Sequence, residues 1–382
     1  MMKKDLILFG YTGSIGKQTL EVLKSFDCPY KLLGVVSHSN TDGLKDVLKS
    51  FPTIKFVGTE IEKKIDFNVK YYFGQNLLNI IDDNPQAAIF NAVSGIAGLK
   101  ITLRAIEQDR IVFLANKESV VVGYSLLKEA LKKHPQSRLI PIDSEHSALA
   151  KLLKNKDDVK KLYITCSGGA LRDVPLSEID KATVKKVLNH PTWNMGKKIT
   201  VDCATLVNKA YEVIEANFFF NYPLNNIEVI MHDESIIHAM TLMKDNSVVA
   251  ELASSDMKIP ISYALHDEER VEGNYKEFEL CDLHFRQFDE RRYPLFNFIL
   301  NNFDERSTAM AIISSADEVA INSFINGEIK YKDIYTIIVN TFKSMRQEMV
   351  SSIEDIVHAC SSAKEIAEEI KREIEVNKKC KF

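Results

Sequence analysis

The chain has 382 residues, 45% of them hydrophobic and 27% charged, with a formal net charge of −4 at pH 7. Such a length suggests two or three domains with ample apolar material for their cores. Mild acidity without a dense Lys/Arg tract excludes a nucleic-acid platform, and the lack of a long apolar run excludes a membrane span.

Lys3-Lys4 precede only a short apolar strand, Leu6 to Phe9, so no signal peptide is expected. The six cysteines are scattered without a C-x-x-C pair, which fits reduced thiols in a cytoplasmic enzyme. Residues 4–16, KDLILFGYTGSIG, read as a buried strand entering a glycine-rich turn and then a helix. Gly10, Gly13 and Gly16 allow a tight turn and close backbone approach to a pyrophosphate at the helix N-terminus. A second strand over Tyr30–Ser37 completes the context of a dinucleotide site. Its end, Ser37-His38-Ser39-Asn40-Thr41, offers no carboxylate before Asp42, so a ribose 2′-phosphate is tolerated and NADPH is the expected cofactor.

Strands are then predicted at Ile54–Gly58, Ala87–Val93 and Arg110–Ala115, and helices at Ile96–Gln108 and Ser119–Lys133. The stretches AVSGIAGL (92–99) and LANKES (114–119) fall where strands hand over to helices, the edge where ligands bind. Lys117 there, between Asn116 and Glu118, is a candidate substrate contact, or else a surface lysine. In SRLIPIDSEHSA (137–148), an extended chain would place Asp143 and Glu145 on one face, a repulsive pair that a divalent cation relieves. The competing reading is a helix start capped by Ser144, with Glu145 complementing the dipole. A strand over Val159–Thr165 leads into Cys166-Ser167-Gly168-Gly169, a turn able to offer a hydroxyl and backbone N–H groups to phosphate.

Asn189–Ala216 is the richest stretch. It holds the one tryptophan, Trp193, in a loop with His190, Pro191, Asn194, Met195 and Gly196. A short strand, Ile199–Val201, is expected next, then Asp202 as N-cap of a helix with Leu206, Ala210, Val213 and Ile214 on its apolar stripe. On that helix Asn208, Glu212 and Glu215 share one face, with Lys209 beside them. Glu212 added to Asp143 and Glu145 makes a three-carboxylate site suited to Mg²⁺ or Mn²⁺. Read blandly, the stretch is a surface loop before an amphipathic helix. Strands at Ile227–His232, His238–Lys244 and Val248–Ser254 follow, the last two joined by an Asp245-Asn246-Ser247 turn. Periodicity fades from Asp267 to Arg292, and helices are predicted at Arg306–Phe324, Lys332–Gln347 and Ser352–Glu375.

The expected fold is α/β. It comprises an N-terminal Rossmann-like NADPH domain (1–143), a central α+β catalytic domain (144–266) with a flexible flap (189–198), a linker (267–292) and a C-terminal helical domain (293–382).

Taken in order, GYTGSIG (10–16), LANKES (114–119), PIDSEH (141–146), SGG (167–169), HPTWNMGKKITVD (190–202), ATLVNK (204–209) with Glu212, and ESIIHAM (234–240) resemble the 1-deoxy-D-xylulose 5-phosphate reductoisomerase family. The resemblance runs over essentially the whole chain. It implies an NADPH- and metal-dependent enzyme that rearranges a sugar phosphate, in the retro-aldol account by breaking and re-forming a carbon–carbon bond. Hydride transfer then gives 2-C-methyl-D-erythritol 4-phosphate, for isoprenoid synthesis. It implies Gly10, Thr12, Gly13, Ser14 and Ile15 at the pyrophosphate, His38, Ser39 and Asn40 at the adenosine end, and Asn116, Glu118 and Gly196 elsewhere along the cofactor. Asp143, Glu145 and Glu212 become metal ligands. Lys117, Ser144, Glu145, Ser167, His190, Trp193, Met195, Cys203, Asn208 and Lys209 become substrate contacts, with Lys117, Asp143, Glu145, His190 and Glu212 carrying catalysis. The family is homodimeric, so the resemblance implies a second copy as a partner beside the small-molecule sugar-phosphate substrate; neither nucleic acid nor membrane is expected.

Three departures stand out. Cys203 replaces a serine, Cys166 a glycine, and His38-Ser39 a small-plus-basic pair. Two other readings compete: a metal-free phosphorylating aldehyde dehydrogenase using Cys166, and an NADPH-sensing regulator without turnover. Both leave the three carboxylates and the tryptophan loop unexplained. If Trp193 lies on a closing flap, its fluorescence should change on adding a phosphonate substrate mimic; an unchanged spectrum contradicts a closing flap.

Overall fold

A computed structural model describes residues 3–25, 27–62 and 65–379; Cys380, counted above among the reduced thiols, lies outside them. The chain folds into two compact units. Met1–Ser119, Leu127–Lys151 and Asp256–Glu277 make the first, and Val120–Leu126, Leu152–Ser255 and Phe278–Phe382 the second.

The first unit is built on a seven-stranded parallel sheet. Its strands are β1 (Lys4–Phe9), β2 (Tyr30–Ser37), β3 (Phe56–Thr59), β4 (Lys70–Phe73), β5 (Ala88–Asn91), β6 (Ile111–Leu114) and β7 (Arg138–Pro141). In space they run β4-β3-β2-β1-β5-β6-β7. Leu6, Ile7, Leu8 and Phe9 are all buried, as befits a strand covered on both faces. Chain order reverses between β1 and β5, the switch point at which doubly wound sheets bind ligands. Gly10, with φ +85°, turns the chain there, and a Cβ on it would stand 2.5 Å from the Ala92 carbonyl oxygen. A Cβ on Gly16 would stand 2.2 Å from the Gly10 carbonyl oxygen, so this glycine lets helix α1 (Ser14–Leu23) close onto the turn. At Gly13 the nearest atom would be 3.5 Å away, an ordinary contact.

Two expectations change here. The helix expected over Ser119–Lys133 is two, α2 (Lys117–Val122) and Tyr124–Lys133, broken at Gly123. The first unit also runs past Asp143 and takes back residues 256–277, which the sequence reading divided between the catalytic domain and the linker. The cause is apolar burial. Helix Lys258–Leu265 puts Ile261, Ala264 and Leu265 into the same core as Leu6 and Leu8. Ion pairs Lys4–Asp267 (3.1 Å) and Arg138–Glu268 (2.6 Å) hold the residues that follow.

The second unit has a mixed sheet of β8 (Val159–Cys166), β9 (Ile227–His232), β10 (Ile237–Met243), β11 (Val248–Leu252) and β12 (Phe285–Arg286), ordered β11-β10-β8-β9-β12. β12 arises inside the expected linker and pairs with β9. The expected strand at Ile199–Val201 is instead part of helix α4 (Lys197–Thr205), and Asp202 lies inside that helix rather than capping the next. Local β-branching lost to packing. Val201, Ala204 and Thr205 are buried, and Lys198 pairs with Asp202 one turn on, at 2.7 Å. Leu206 (φ +57°) then swings the chain into α5 (Val207–Phe220). Helices α6 (Ala309–Ile325), α7 (Tyr331–Ser344) and α8 (Ile353–Lys379) pack on one another within this same unit. Among the described residues no helix is long and apolar enough to cross a membrane.

The glycine contacts separate structural from functional roles. Gly16→Ala should cost roughly 3 kcal/mol or more in denaturant unfolding, because backbone has to move. Gly13→Ala should leave stability within about 1 kcal/mol and show itself only in NADPH affinity.

Candidate active site

In the first unit the carboxyl ends of β1, β2, β6 and β7 carry the predicted residues. Gly13 is the N-cap of α1, Gly13 and Ser14 are exposed, and Thr12 and Ile15 are half-buried. The first-turn amides of such a helix have no partner inside it and form an anion site. His38, Ser39 and Asn40 are exposed just past β2, where the Asn40 carboxamide accepts a hydrogen bond from the Asp42 amide (2.7 Å). Asn116 plays an internal role as well. Its buried amide donates to the Val93 (2.6 Å) and Gly95 (3.1 Å) carbonyls and to Glu118 (3.3 Å), tying two strand-end loops together.

β6 and β7 are parallel neighbours with Leu114 opposite Pro141, so the loops leaving them start at the same height. Lys117 and Asp143 therefore meet, with Nζ 2.9 Å from Oδ2 and both side chains less than a fifth exposed (13% and 19%). The chain turns helical at Ser144, so Asp143 and Glu145 are not placed by strand alternation. Asp143 acts as the N-cap of α3 (Ser144–Leu152): its carboxylate accepts from the Glu145 amide (3.3 Å) and its carbonyl from the Ser147 amide (2.8 Å). Ser144 donates to the Glu145 carboxylate (2.5 Å). Burial opposes the charge on Asp143, yet Lys117 and the buried His146 hold its carboxyl well below the usual range. It is ionised.

The second unit carries two polar groups of its own. α5 is buried along almost its whole length, yet carries Asn208, Lys209, Glu212 and Glu215. Buried polar residues in such a helix ask for a reason. Glu212 is 2% exposed; Asn208 donates to one carboxylate oxygen and Lys209 to the other, each at 2.5 Å. The other group is the loop after β8. Gly168 and Gly169 have φ of +76° and +66°, and a Cβ on Gly169 would stand 2.7 Å from the Cys203 carbonyl oxygen. The Ser167 hydroxyl lies 3.1 Å from His190 Nε2. His190 Nδ1 accepts from the Thr192 (3.2 Å) and Trp193 (3.0 Å) amides, so the proton of the neutral ring sits on Nε2 and points at Ser167. Trp193 is half-buried, its ring 6.1 Å from that of His238; Met195 is half-buried and Gly196 caps α4.

Sequence reasoning missed Arg172. Its guanidinium donates to the Ser167 (3.1 Å) and Asp233 (2.8 Å) carbonyls. An arginine three residues beyond a Gly-Gly pair carries no sequence signal; only the returning β9 shows what it holds.

Relatives match the chain over nearly their whole length. A Clostridium kluyveri 1-deoxy-D-xylulose 5-phosphate reductoisomerase is 37% identical over 372 residues, 94% of this chain and 96% of that one. One from Thermotoga neapolitana is also 37% identical, covering 97% and 98%. The chain belongs to the 1-deoxy-D-xylulose 5-phosphate reductoisomerase family.

Models of this reductoisomerase family match residues 6–123, and models described as its C-terminal domain match 139–220 and 252–366. Among solved structures, the Zymomonas mobilis reductoisomerase in complex with NADPH superposes with a TM-score of 0.88 at 29% identity, covering 97% of this chain and 99% of that one. A reductoisomerase in complex with NADPH, fosmidomycin and magnesium gives 0.87 at 27% identity, with the same coverage. Against this reductoisomerase background, Cys166 is buried at the end of β8 and Cys203 is half-buried in the last turn of α4.

Burial, and behind it the Arg172 guanidinium, push the His190 pKa down to about 4 from 6.5. The neutral ring is the folded form, so its contribution to stability is present above pH 6.5 and is lost as pH falls towards 4. A proton NMR titration should place the His190 midpoint near 4; a midpoint at or above the ordinary histidine value contradicts this.

Proposed function

We propose that this chain converts 1-deoxy-D-xylulose 5-phosphate into 2-C-methyl-D-erythritol 4-phosphate, oxidising NADPH with the help of a divalent cation, in non-mevalonate isoprenoid synthesis. The observation that carries the reading is the buried Asn208–Lys209–Glu212 group on α5, whose polarity packing alone does not explain. Solved relatives bound to NADPH, fosmidomycin and magnesium support it.

Asp143, Glu145 and Glu212 would hold Mg²⁺ or Mn²⁺; a set of carboxylates suits a hard cation. When bound, the metal supplies Lewis-acid polarisation of the substrate ketone and its neighbouring hydroxyl, and NADPH supplies the hydride. Lys117 keeps Asp143 ionised and lies at the same strand edge to reach substrate oxygen. Ser167, Asn208 and Lys209 bind the phosphate, with Cys203 beside them in place of serine. Neutral His190 orients the Ser167 hydroxyl, Ser144 and Glu145 contact the substrate, and Trp193 and Met195 close over it to exclude water.

Thr12, Gly13, Ser14 and Ile15 take the cofactor pyrophosphate, and Gly10 shapes the turn. His38, Ser39 and Asn40, exposed and without a carboxylate, take the adenosine end with its 2′-phosphate. Asn116, Glu118 and Gly196 line the rest of the cofactor. The enzyme works in the cytoplasm as a homodimer, and Val248 and Val249, 53% and 45% exposed on edge strand β11, offer the pairing edge.

The assay is NADPH oxidation with deoxyxylulose phosphate, with and without Mg²⁺ or Mn²⁺; turnover should require both metal and substrate. Glu212→Gln should lower kcat/KM by more than about a hundredfold, the upper range for residues that only support a metal ligand. Normal turnover and metal dependence in that variant would remove Glu212 from the metal site.

A further inference from the structure

We infer that Tyr293 is a positioning residue for the substrate phosphate, acting through one peptide of the Ser167 loop. The inference rests on the reading of Ser167 as a phosphate contact and adds a residue to it. Tyr293 lies just before helix Pro294–Asn301, fully buried, and its hydroxyl donates to the Gly168 carbonyl at 2.8 Å. In a trans peptide the carbonyl and the following N–H point opposite ways. Anchoring the Gly168 oxygen therefore aims the Gly169 N–H away from Tyr293, and that N–H donates to Ser167 Oγ (3.3 Å).

Ser167 Oγ then accepts from two sides, the Gly169 amide and His190 Nε2–H (3.1 Å). A serine hydroxyl has two acceptor lone pairs and one hydrogen. With both lone pairs committed, its hydrogen is left to donate, which is what a phosphate oxygen requires. The geometry also explains Gly168: a Cβ there would stand 3.0 Å from the Tyr293 hydroxyl and 2.4 Å from Met231 Cε. Burial pushes the Tyr293 phenol far up, so it remains a donor across the working pH range. Arg292 beside it donates to the Leu171 (2.9 Å) and Val174 (2.5 Å) carbonyls and holds the rest of the loop.

Tyr293→Phe removes only the hydroxyl. Wild-type turnover is measured first; its absence sinks the functional reading itself. With wild type active, the variant should raise the KM for deoxyxylulose phosphate about tenfold, a typical worth for one hydrogen bond. Competitive inhibition by inorganic phosphate should weaken in parallel, while kcat and the KM for NADPH stay within about twofold. In a Ser167→Ala background the same substitution should add nothing, because Tyr293 acts through Ser167.

An unchanged substrate KM, an equal rise in the NADPH KM, or full additivity with Ser167→Ala each overturns the inference. If the phenylalanine variant does not fold, 4-aminophenylalanine at position 293 keeps the size and a weaker donor. The substrate KM should then rise about threefold, and an unchanged KM overturns the inference equally.

Discussion

A charge taken out of water needs a partner, and several carboxylates shielded from solvent in this protein are arranged around that requirement. In the first unit Asp143 is matched by Lys117, delivered from the neighbouring parallel strand. In the second, Glu212 is matched by Lys209 and Asn208 from its own helix, and Asp202 and Asp317 share Lys198 (2.7 and 3.0 Å). None of these sites can be moved piecemeal. Losing one partner strands an uncompensated charge, which costs more than the pair itself contributes.

The second unit spends much of its C-terminal part on the loop that carries Ser167. Tyr293 and Arg292 occupy carbonyls of that loop, Tyr331 on α7 donates to the Ala204 carbonyl (2.9 Å), and Asp317 on α6 anchors Lys198 just after the tryptophan loop. Read from sequence, this part shows only helices predicted from apolar spacing. Packed, the segment holds the backbone of the loop proposed to bind phosphate. Peptide carbonyls turned towards an anion would repel it, and donors placed behind them turn the N–H groups the other way.

The departures from the family fall at positions of differing consequence. Cys166 is buried at the end of β8, where a small apolar side chain is at ease. Cys203 is half-buried beside Ala204, whose backbone packs closely on Gly169, so its weaker donor stands at the loop that matters. His38 and Ser39 are exposed just past the end of β2, with no carboxylate before Asp42.

Much was legible in the sequence because its signals are local. The glycine turn at Gly10 and Gly16, the alternation of strands and helices, the hairpin at Asp245–Ser247 and the shared face of Asn208 and Glu212 all follow from spacing within a few residues. Where tertiary packing competes with local preference, the sequence misleads. Ile199–Val201 is β-branched yet helical, because Val201 is buried and Lys198 pairs with Asp202. Asp143 and Glu145 look like strand neighbours yet flank a helix start. By itself the sequence determined most of the elements and the family. Only the tertiary structure decided that Lys117 meets Asp143, that Arg172 and Tyr293 hold the Ser167 loop, and that the helix after Asp256 belongs to the first sheet. Those contacts join residues far apart in the chain, and no local pattern encodes a distance that folding alone creates.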